Sequence, residues 1–298
     1  MMKNIEKDSL LLSQVIPYFH EWLKTRGMRE ATLRGYKMDI NQFQKWLAAR
    51  SNGPIFVNEI NRQHIEGFVH YLTHERKCKP RTINRKINAM STFFNFLKKK
   101  KIVEENPLED FERVKVPDSE RIYLTKEEIE AIIKSIEHPV IHYFVMMMAY
   151  TGLRIKECIQ LTLNDVDLEE GFVQVINGKG GKNRRVPMNQ QLIKKMKEYL
   201  EYHRPKTDSL YFFALKKTGT VSDQYVNRLL KEACVKAGIE KHVTSHILRH
   251  SFASYLVKKD THVAVIQRLL GHASLKTTSV YLHVQQDDLR EAVEQIDF

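Results

Sequence analysis

The sequence predicts a mainly α-helical protein of two domains, the second of which carries a small antiparallel β-hairpin. Within residues 1–100, apolar side chains recur in four stretches at the spacing of one helix face. Residues 172–176 and 184–188 alternate on either side of a glycine-rich turn, which is the pattern of a hairpin. Between these regions, residues 103–123 contain two prolines and no sustained periodicity, as is typical of a linker.

Each of the four N-terminal stretches has an apolar stripe that we expect to form the core of a helical domain. The main stripe residues are Leu11, Val15, Phe19, Trp22 and Leu23; Leu33, Tyr36, Ile40, Phe43 and Trp46; Ile65, Phe68, Val69 and Leu72; and Ile83, Ile87, Met90, Phe93, Phe94 and Leu97. A turn at residues 51–54 closes the first pair. Aromatic stripes also suit base stacking, but core packing is the simpler interpretation.

The second domain is predicted to be mostly helical. Thr125 and Glu128 are spaced as a capping box ahead of a helical apolar pattern, which marks the start of its first helix. A short strand region is expected at residues 166–176, next to the hairpin. We therefore place the N-terminal domain at residues 1–103, the linker at 104–120 and the second domain at 121–298.

The net charge of +12 is concentrated in the N-terminal third of the chain. Residues 1–100 hold 19 Lys and Arg against 8 Asp and Glu, a difference of +11. This asymmetry favours a partner with many phosphates, because each neutralised phosphate releases counterions and adds affinity. The alternative is a solvated basic face without a partner.

A cluster of basic residues lies at the start of the fourth predicted helix. Its members are Lys77, Lys79, Arg81, Arg85 and Lys86. Cations are slightly unfavourable at the positive end of a helix, so helix electrostatics do not account for them. We expect these residues to contact the phosphates of DNA.

Composition and motif content exclude several other classes. With 42% hydrophobic and 28% charged residues, the chain is expected to fold as a soluble globular protein. Cys78, Cys158 and Cys234 are scattered and lack metal-ligand spacing, which fits a reducing compartment. The N-terminal residues show no signal-peptide pattern, and the apolar run at residues 140–150 is too short to span a bilayer. We therefore expect a cytoplasmic protein.

Six polar residues stand out from the apolar patterns of the second domain. They are Arg154, Lys179, His246, Arg249, His272 and Tyr281. A phosphodiester bears negative charge that shifts among its oxygens during phosphoryl transfer, so an enzyme that attacks it needs fixed cations and a nucleophile. Arginine, lysine, histidine and tyrosine meet those needs.

Several of these residues also have an ordinary structural explanation when they are taken singly. Arg154 could pair with Glu157 three residues later on a helix. Lys179 could be a solvated lysine at a hairpin tip. His246 lies midway between two histidines at four-residue spacing, which suits a zinc site, although no carboxylate or cysteine ligand is patterned beside them.

Taken together, the order and spacing of the six residues resemble those of the tyrosine site-specific recombinases, most closely the short Xer and phage-integrase type. The resemblance spans nearly the whole chain. It implies a four-helix, SAM-like core-binding domain followed by a mostly helical catalytic domain with a small antiparallel β-sheet. It also implies an enzyme that breaks and rejoins double-stranded DNA at specific sites without ATP, a metal or another cofactor.

The resemblance assigns Tyr281 as the nucleophile, which would form a 3′-phosphotyrosyl bond, and His246 as its base. A tyrosine hydroxyl has a pKa of about 10, so it needs such help at neutral pH. Lys179 would protonate the leaving 5′ oxygen. Lys182, in the same glycine-rich turn, is the alternative for that role.

The remaining family residues would bind and support the DNA phosphate. Arg154 and Arg249 would clamp its non-bridging oxygens, and His272 would donate a further hydrogen bond. Glu157 would support this group without reacting. Additional contacts to the DNA backbone are expected from Lys182, Arg184 and Arg185.

The resemblance also implies a homotetramer on DNA, formed alone or with a paralogous recombinase. Residues 287–298 carry a short apolar stripe and would dock as a helix on a neighbouring subunit, or else on their own domain. Dimer resolution, integration and excision, each through a Holliday junction, are all open as biological roles. Two alternatives are a DNA-binding accessory protein of the same fold with little catalytic activity, and a topoisomerase-like enzyme.

Overall fold

A computed structural model describes residues 10–28, 30–117, 122–176 and 183–271 of the chain. The chain separates into two compact units, residues 1–119 (unit 1) and 120–298 (unit 2). Each unit has its own hydrophobic core. Unit 1 is helical and unit 2 is mostly helical with a small antiparallel sheet, so the predicted fold class is confirmed.

Unit 1 contains the four helices predicted from the apolar stripes. They are α1 (Leu12–Thr25), α2 (Glu30–Ala48), α3 (Arg62–His70), which a π-helical turn (Tyr71–Glu75) extends, and α4 (Pro80–Lys99). Pro80 begins α4, where its missing N–H costs no intrahelical hydrogen bond. The rings of Phe19 and Phe93, and those of Phe43 and Phe68, are buried against each other with centroids 5.1 Å apart. The aromatic stripes therefore form the core.

Within unit 1, residues 102–114 pack on the helical core. They overlap the range 104–120 that was predicted as a linker. Leu108 is buried in the helical core. The Asn106 side chain donates a hydrogen bond to Asn95 Oδ1 at 2.9 Å. The segment is held by irregular contacts of this kind and not by a repeating pattern, so its apolar residues gave no periodic signal.

Unit 2 is built around one almost fully buried helix, α6. Its helices are α5 (Lys126–Lys134), α6 (Pro139–Thr151), α7 (Ile155–Gln160), α8 (Gln190–Glu198), α9 (Asp223–Lys236), α10 (Ser245–Lys258) and α11 (Val263–Leu270). The predicted capping box starts α5: the Glu128 N–H donates to Thr125 Oγ1 at 3.2 Å, and the Thr125 N–H donates to Glu128 Oε2 at 2.8 Å. None of the helices in the described ranges is long and apolar enough to cross a bilayer.

The sheet of unit 2 has three antiparallel strands in the order β1–β2–β3. The strands are β1 (Val166–Asp167), β2 (Phe172–Val175) and β3 (Arg184–Pro187). Val175 pairs with Arg184, so β2 and β3 form the predicted hairpin with slightly shorter strands. Residues 177–182 between them, which include Lys179 and Lys182, lie outside the described residues.

Candidate active site

The turn between α6 and α7 places Arg154 at the start of a helix. α6 ends at Gly152, whose φ of +66° lies in the left-handed region. A Cβ at this position would lie 2.4 Å from Phe252 Cδ1, so the turn requires glycine. Arg154 then precedes the first turn of α7, and its backbone N–H donates to Glu157 Oε2 at 2.9 Å. The Arg154 side chain is thereby directed to the same carboxylate.

Glu157 is only 8% exposed and lies among three described arginines. Arg154 Nη1 donates to Oε1 at 2.7 Å, and Arg184 donates to both carboxylate oxygens at 3.0 and 2.7 Å. Arg249 Nη1 lies 3.9 Å from Oε2. Burial opposes ionisation of Glu157, but hydrogen bonds and charge from Arg184 and Arg154 outweigh it and lower its pKa to about 2. We call these four residues the arginine cluster.

Arg249 enters the arginine cluster from α10 and is 5% exposed. Its Nη1 donates to the Gly152 carbonyl at 2.6 Å, and its Nη2 donates to the Leu270 carbonyl at 2.5 Å. His246 lies three residues earlier on α10 and is exposed. Residues three apart on a helix share one side of it, so α10 presents the buried arginine and the exposed histidine in the same direction.

The structure thus brings together Arg154, Arg249 and Glu157, with His246 on the same helix as Arg249. Four predicted site residues lie outside the described residues, and their roles stay predictions: Lys179, Lys182, His272 and Tyr281. Within the described ranges, no group of three His, Cys, Asp or Glu side chains could hold a metal ion. The zinc alternative for His246 therefore finds no ligand set there.

Arg184 has a role that the sequence did not indicate. We expected Arg184 and Arg185 to contact the DNA backbone, but the Arg184 side chain is 9% exposed and its Nε donates to the Leu269 carbonyl at 2.8 Å. Its other nitrogens donate to Glu157, so Nε, Nη1 and Nη2 all donate within the protein, where a contact with DNA was expected. The two-residue period of β3, which puts Arg184 on the side of the buried Val186, was the available signal.

In unit 1 the basic cluster divides into exposed and buried members. Lys77, Lys79 and Arg81 are exposed at the start of α4. Lys86 is 7% exposed, and its Nζ donates to Asp39 Oδ1 at 2.8 Å and to Gln42 Oε1 at 2.5 Å. Arg85 also donates to Asp39, but its side chain is 54% exposed. Asp39 is itself 2% exposed, so the ammonium of Lys86 neutralises a buried carboxylate, where a contact with DNA was expected.

Substitutions of Arg81 and Lys86 should separate these two roles. Arg81→Gln should leave unfolding unchanged and weaken DNA binding, with the slope of log affinity against log salt reduced by about one.

Lys86→Met should destabilise unit 1 by about 2 kcal/mol, because Asp39 loses a buried charged donor, and should leave the DNA affinity of the folded protein unchanged. Tryptophan fluorescence during urea unfolding reports on unit 1, since it contains both tryptophans, Trp22 and Trp46. If the Lys86→Met protein is folded and binds DNA as weakly as Arg81→Gln, then Lys86 contributes to DNA binding.

Both units of the chain are similar to known proteins. The phage integrase family model matches residues 122–288, and the model of the phage integrase N-terminal SAM-like domain matches residues 15–101. The chain is 33% identical over 297 residues to a tyrosine recombinase of Thermosipho africanus, covering 96% of this chain and 100% of that protein. It is also 33% identical over 299 residues to the tyrosine recombinase XerA of Pyrococcus furiosus, covering 97% of this chain and 96% of that protein.

Solved structures show the same likeness. The crystal structure of XerA recombinase matches with a TM-score of 0.54 at 27% identity, over 96% of this chain and 100% of that one. The Tn1549 transposon integrase in complex with circular intermediate DNA matches with a TM-score of 0.79 at 17% identity, over 96% and 100% of the two chains, which shows a shared fold. This chain therefore belongs to the phage integrase family of tyrosine recombinases, enzymes that cleave and rejoin DNA.

Proposed function

We propose that this protein is a site-specific recombinase that exchanges strands of double-stranded DNA through a 3′-phosphotyrosyl intermediate and a Holliday junction. The observation that carries the proposal is the convergence of two arginines. Arg154 and Arg249 both lie beside Glu157 of α7, and both donate to carbonyls at the end of α11. Two guanidinium groups at one point can bind the non-bridging oxygens of a phosphodiester and stabilise the charge of its transition state. Dimer resolution, integration and excision differ in the DNA sites that they join, and all three fit this chemistry.

Arg154 and Arg249 are proposed to bind the non-bridging oxygens of the scissile phosphate. In the described structure their Nη2 atoms donate to backbone carbonyls, Arg154 to Gly271 at 3.4 Å and Arg249 to Leu270 at 2.5 Å. A phosphate oxygen is a charged acceptor, and a charge-assisted hydrogen bond is about twice as strong as a neutral one. Both arginines stay protonated throughout, so they can stabilise the charge of the transition state.

The chemical step is proposed as follows. The Tyr281 oxygen attacks phosphorus and gives its proton to His246, the P–O5′ bond breaks, and Lys179 protonates the leaving 5′ oxygen. His272 donates a further hydrogen bond to the phosphate. Attack by a 5′ hydroxyl of another strand reverses these steps and rejoins the DNA. One phosphodiester is exchanged for another, so no ATP is consumed, and the arginines supply the positive charge that metal ions provide in many nucleases.

The active form is proposed to be a homotetramer on two DNA sites, formed alone or together with a paralogous recombinase. In this assembly residues 287–298 would dock on the neighbouring subunit and close a ring of four. The apolar stripe of that segment, Leu289, Ala292, Val293 and Ile296, supports the proposal, because so short a helix needs a surface to pack on. The mass of the protein–DNA complex in solution would show whether four copies assemble.

Trapping on nicked DNA tests the proposed chemistry. The wild-type protein, incubated in EDTA with nicked DNA that carries the candidate site from beside its own gene, should form a covalent protein–DNA adduct that survives denaturation. The nick leaves only a short fragment beyond the cleavage point. This fragment carries the new 5′ hydroxyl and diffuses away, so the strand cannot be rejoined. A DNA complex that never becomes covalent, with magnesium or without it, would favour the accessory-protein alternative. Relaxation of any supercoiled DNA, irrespective of its sequence, would favour a topoisomerase.

A further inference from the structure

Three successive carbonyls at the end of α11 each accept a hydrogen bond from a different arginine. The Leu269 carbonyl accepts from Arg184 Nε at 2.8 Å, the Leu270 carbonyl from Arg249 Nη2 at 2.5 Å, and the Gly271 carbonyl from Arg154 Nη2 at 3.4 Å. The last carbonyls of a helix lack intrahelical partners and carry the negative end of its dipole, so cations stabilise them. The arginine cluster therefore also fixes the point at which the chain leaves α11 towards His272.

Arg184 differs from the other two arginines in how its donors are used. Arg154 and Arg249 are the groups proposed to bind phosphate, and in that step their Nη2 donors would turn from the α11 carbonyls to phosphate oxygens. Arg184 forms a two-bond fork with Glu157, at 3.0 and 2.7 Å, and holds Leu269 through Nε. Its Nε, Nη1 and Nη2 therefore each donate within the protein, and none of these contacts is to a residue proposed to bind phosphate.

The contact between Arg184 and the end of α11 is also close. Gly271 has a φ of +63°, and a Cβ there would lie 3.0 Å from both Cδ and Nη1 of Arg184. The backbone of residue 271 thus lies directly on the Arg184 side chain. Because Arg184 also begins β3, it connects the hairpin, α7 through Glu157, and the end of α11.

We propose that Arg184 is a positioning residue, which holds α7 and the end of α11 in place while Arg154 and Arg249 transfer from carbonyls to the scissile phosphate. This inference rests on the proposed function. Without Arg184, Glu157 would lose a two-bond partner, and the end of α11 would lose the carbonyl contact that persists during phosphate binding. A displacement of about 1 Å in a catalytic group is enough to cost roughly a hundredfold in rate.

Single-turnover cleavage of saturating nicked DNA tests this role. Arg184→Met should lower the rate of adduct formation by about a hundredfold. The dissociation constant for the DNA site should stay within about twofold of wild type, because Nε, Nη1 and Nη2 of Arg184 donate to Leu269 and Glu157. Arg184→Lys keeps a positive charge near Glu157 but cannot form the two-bond fork. Its rate of adduct formation should therefore lie between that of wild type and that of Arg184→Met. This graded rescue distinguishes positioning from general damage to the fold.

Arg204→Met is the matched control. Arg204 lies in the same unit and donates to the carbonyls of Ser209, Tyr211 and Phe212 at 2.6, 3.0 and 3.3 Å. Its loss should reduce stability to a similar degree, which unfolding in urea measures, and should leave the rate of adduct formation within about threefold of wild type.

Three results would overturn the inference. They are a wild-type cleavage rate for Arg184→Met at saturating DNA, a loss of rate in Arg204→Met as large as that in Arg184→Met, and a rate for Arg184→Lys no higher than that for Arg184→Met. If Arg184→Met is too unstable to bind DNA, Arg184→Lys is compared with Arg204→Lys, and equal rates for these two count against positioning. A wild-type protein that forms no adduct removes the proposed function, and the inference falls with it.

Discussion

Replacing Tyr281 by phenylalanine should abolish covalent attachment to DNA while leaving DNA affinity within about twofold of wild type. The substitution removes one oxygen atom, which in the proposed reaction is the atom that bonds to phosphorus. The aromatic ring is kept, so packing changes little. Arg154 and Arg249 cannot compensate, because they stabilise a transition state that does not form without a nucleophile.

The readout for Tyr281→Phe is a denaturing gel of end-labelled, nicked DNA, beside a binding titration of the same preparation. Tyr202→Phe is a suitable control, since it removes the same atom from a side chain that is 70% exposed on unit 2. Wild type and Tyr202→Phe should give the adduct. An adduct formed by Tyr281→Phe would remove Tyr281 as the nucleophile and require another oxygen to attack phosphorus.

Glu157→Gln should destabilise unit 2 by about 3 to 5 kcal/mol, because it leaves buried guanidinium groups without their anionic partner. Arg184 and Arg249, with side chains 9% and 6% exposed, would carry most of this cost. The change also weakens the hydrogen bond between Arg154 Nη1 and residue 157, so Arg154 is held less firmly and adduct formation should slow. Far-UV circular dichroism in urea follows the helices of both units. Tryptophan fluorescence follows unit 1 alone, so the transition that only the dichroism shows belongs to unit 2.

Glu169→Gln is the control for Glu157→Gln. Glu169 forms an ion pair with Lys197 at 2.9 Å, but its side chain is 86% exposed, and such surface pairs contribute little. Its replacement should leave the transition of unit 2 unchanged within error. A loss of stability in Glu157→Gln no larger than that in Glu169→Gln would show that the carboxylate is not needed to balance the arginine cluster.

The pKa of Glu157 also predicts how its contribution to stability depends on pH. The pKa is lowered from an ordinary 4.5 to about 2 in the folded protein. Above pH 4.5 the group is ionised in both the folded and the unfolded chain, and its stabilising effect is complete. Between 4.5 and about 2 the unfolded chain takes up a proton and the folded chain does not, so acid reduces the free energy of unfolding. The difference between wild type and Glu157→Gln should therefore be constant from pH 5 to 8 and shrink below pH 4.5.

Local patterns predicted the parts of this fold that depend on neighbouring residues. The capping box of Thr125 and Glu128 and the alternation on either side of the hairpin involve residues a few positions apart, and both features are present. The packing of segment 102–114 was not predicted, because its contacts with α4 follow no period. Its apolar residues are recognisable as core only once the four helices have packed.

Charge pairing between distant positions explains why the contacts of Lys86 and Arg184 were not predicted. Lys86 meets Asp39 across 47 positions, and Arg184 meets Glu157 across 27, so neither partner is visible in local spacing. A basic residue near a predicted DNA site is then assigned to DNA by default. The pair of Arg154 and Glu157, three residues apart, was recognisable, and it serves both as a structural contact and as part of the candidate site.

The burial of the arginine cluster bears on the conformational entropy of DNA binding. A flexible surface arginine carries about 2 kcal/mol of rotamer entropy that is lost when it is fixed on a ligand. The Arg249 side chain is 6% exposed and already held by two carbonyls, and that of Arg154 is 21% exposed and bonded to Glu157, so most of this loss occurs when the protein folds. In the proposed reaction the phosphate would meet two guanidinium groups that are already ordered, and most of the cost of ordering them would not reduce the affinity for DNA.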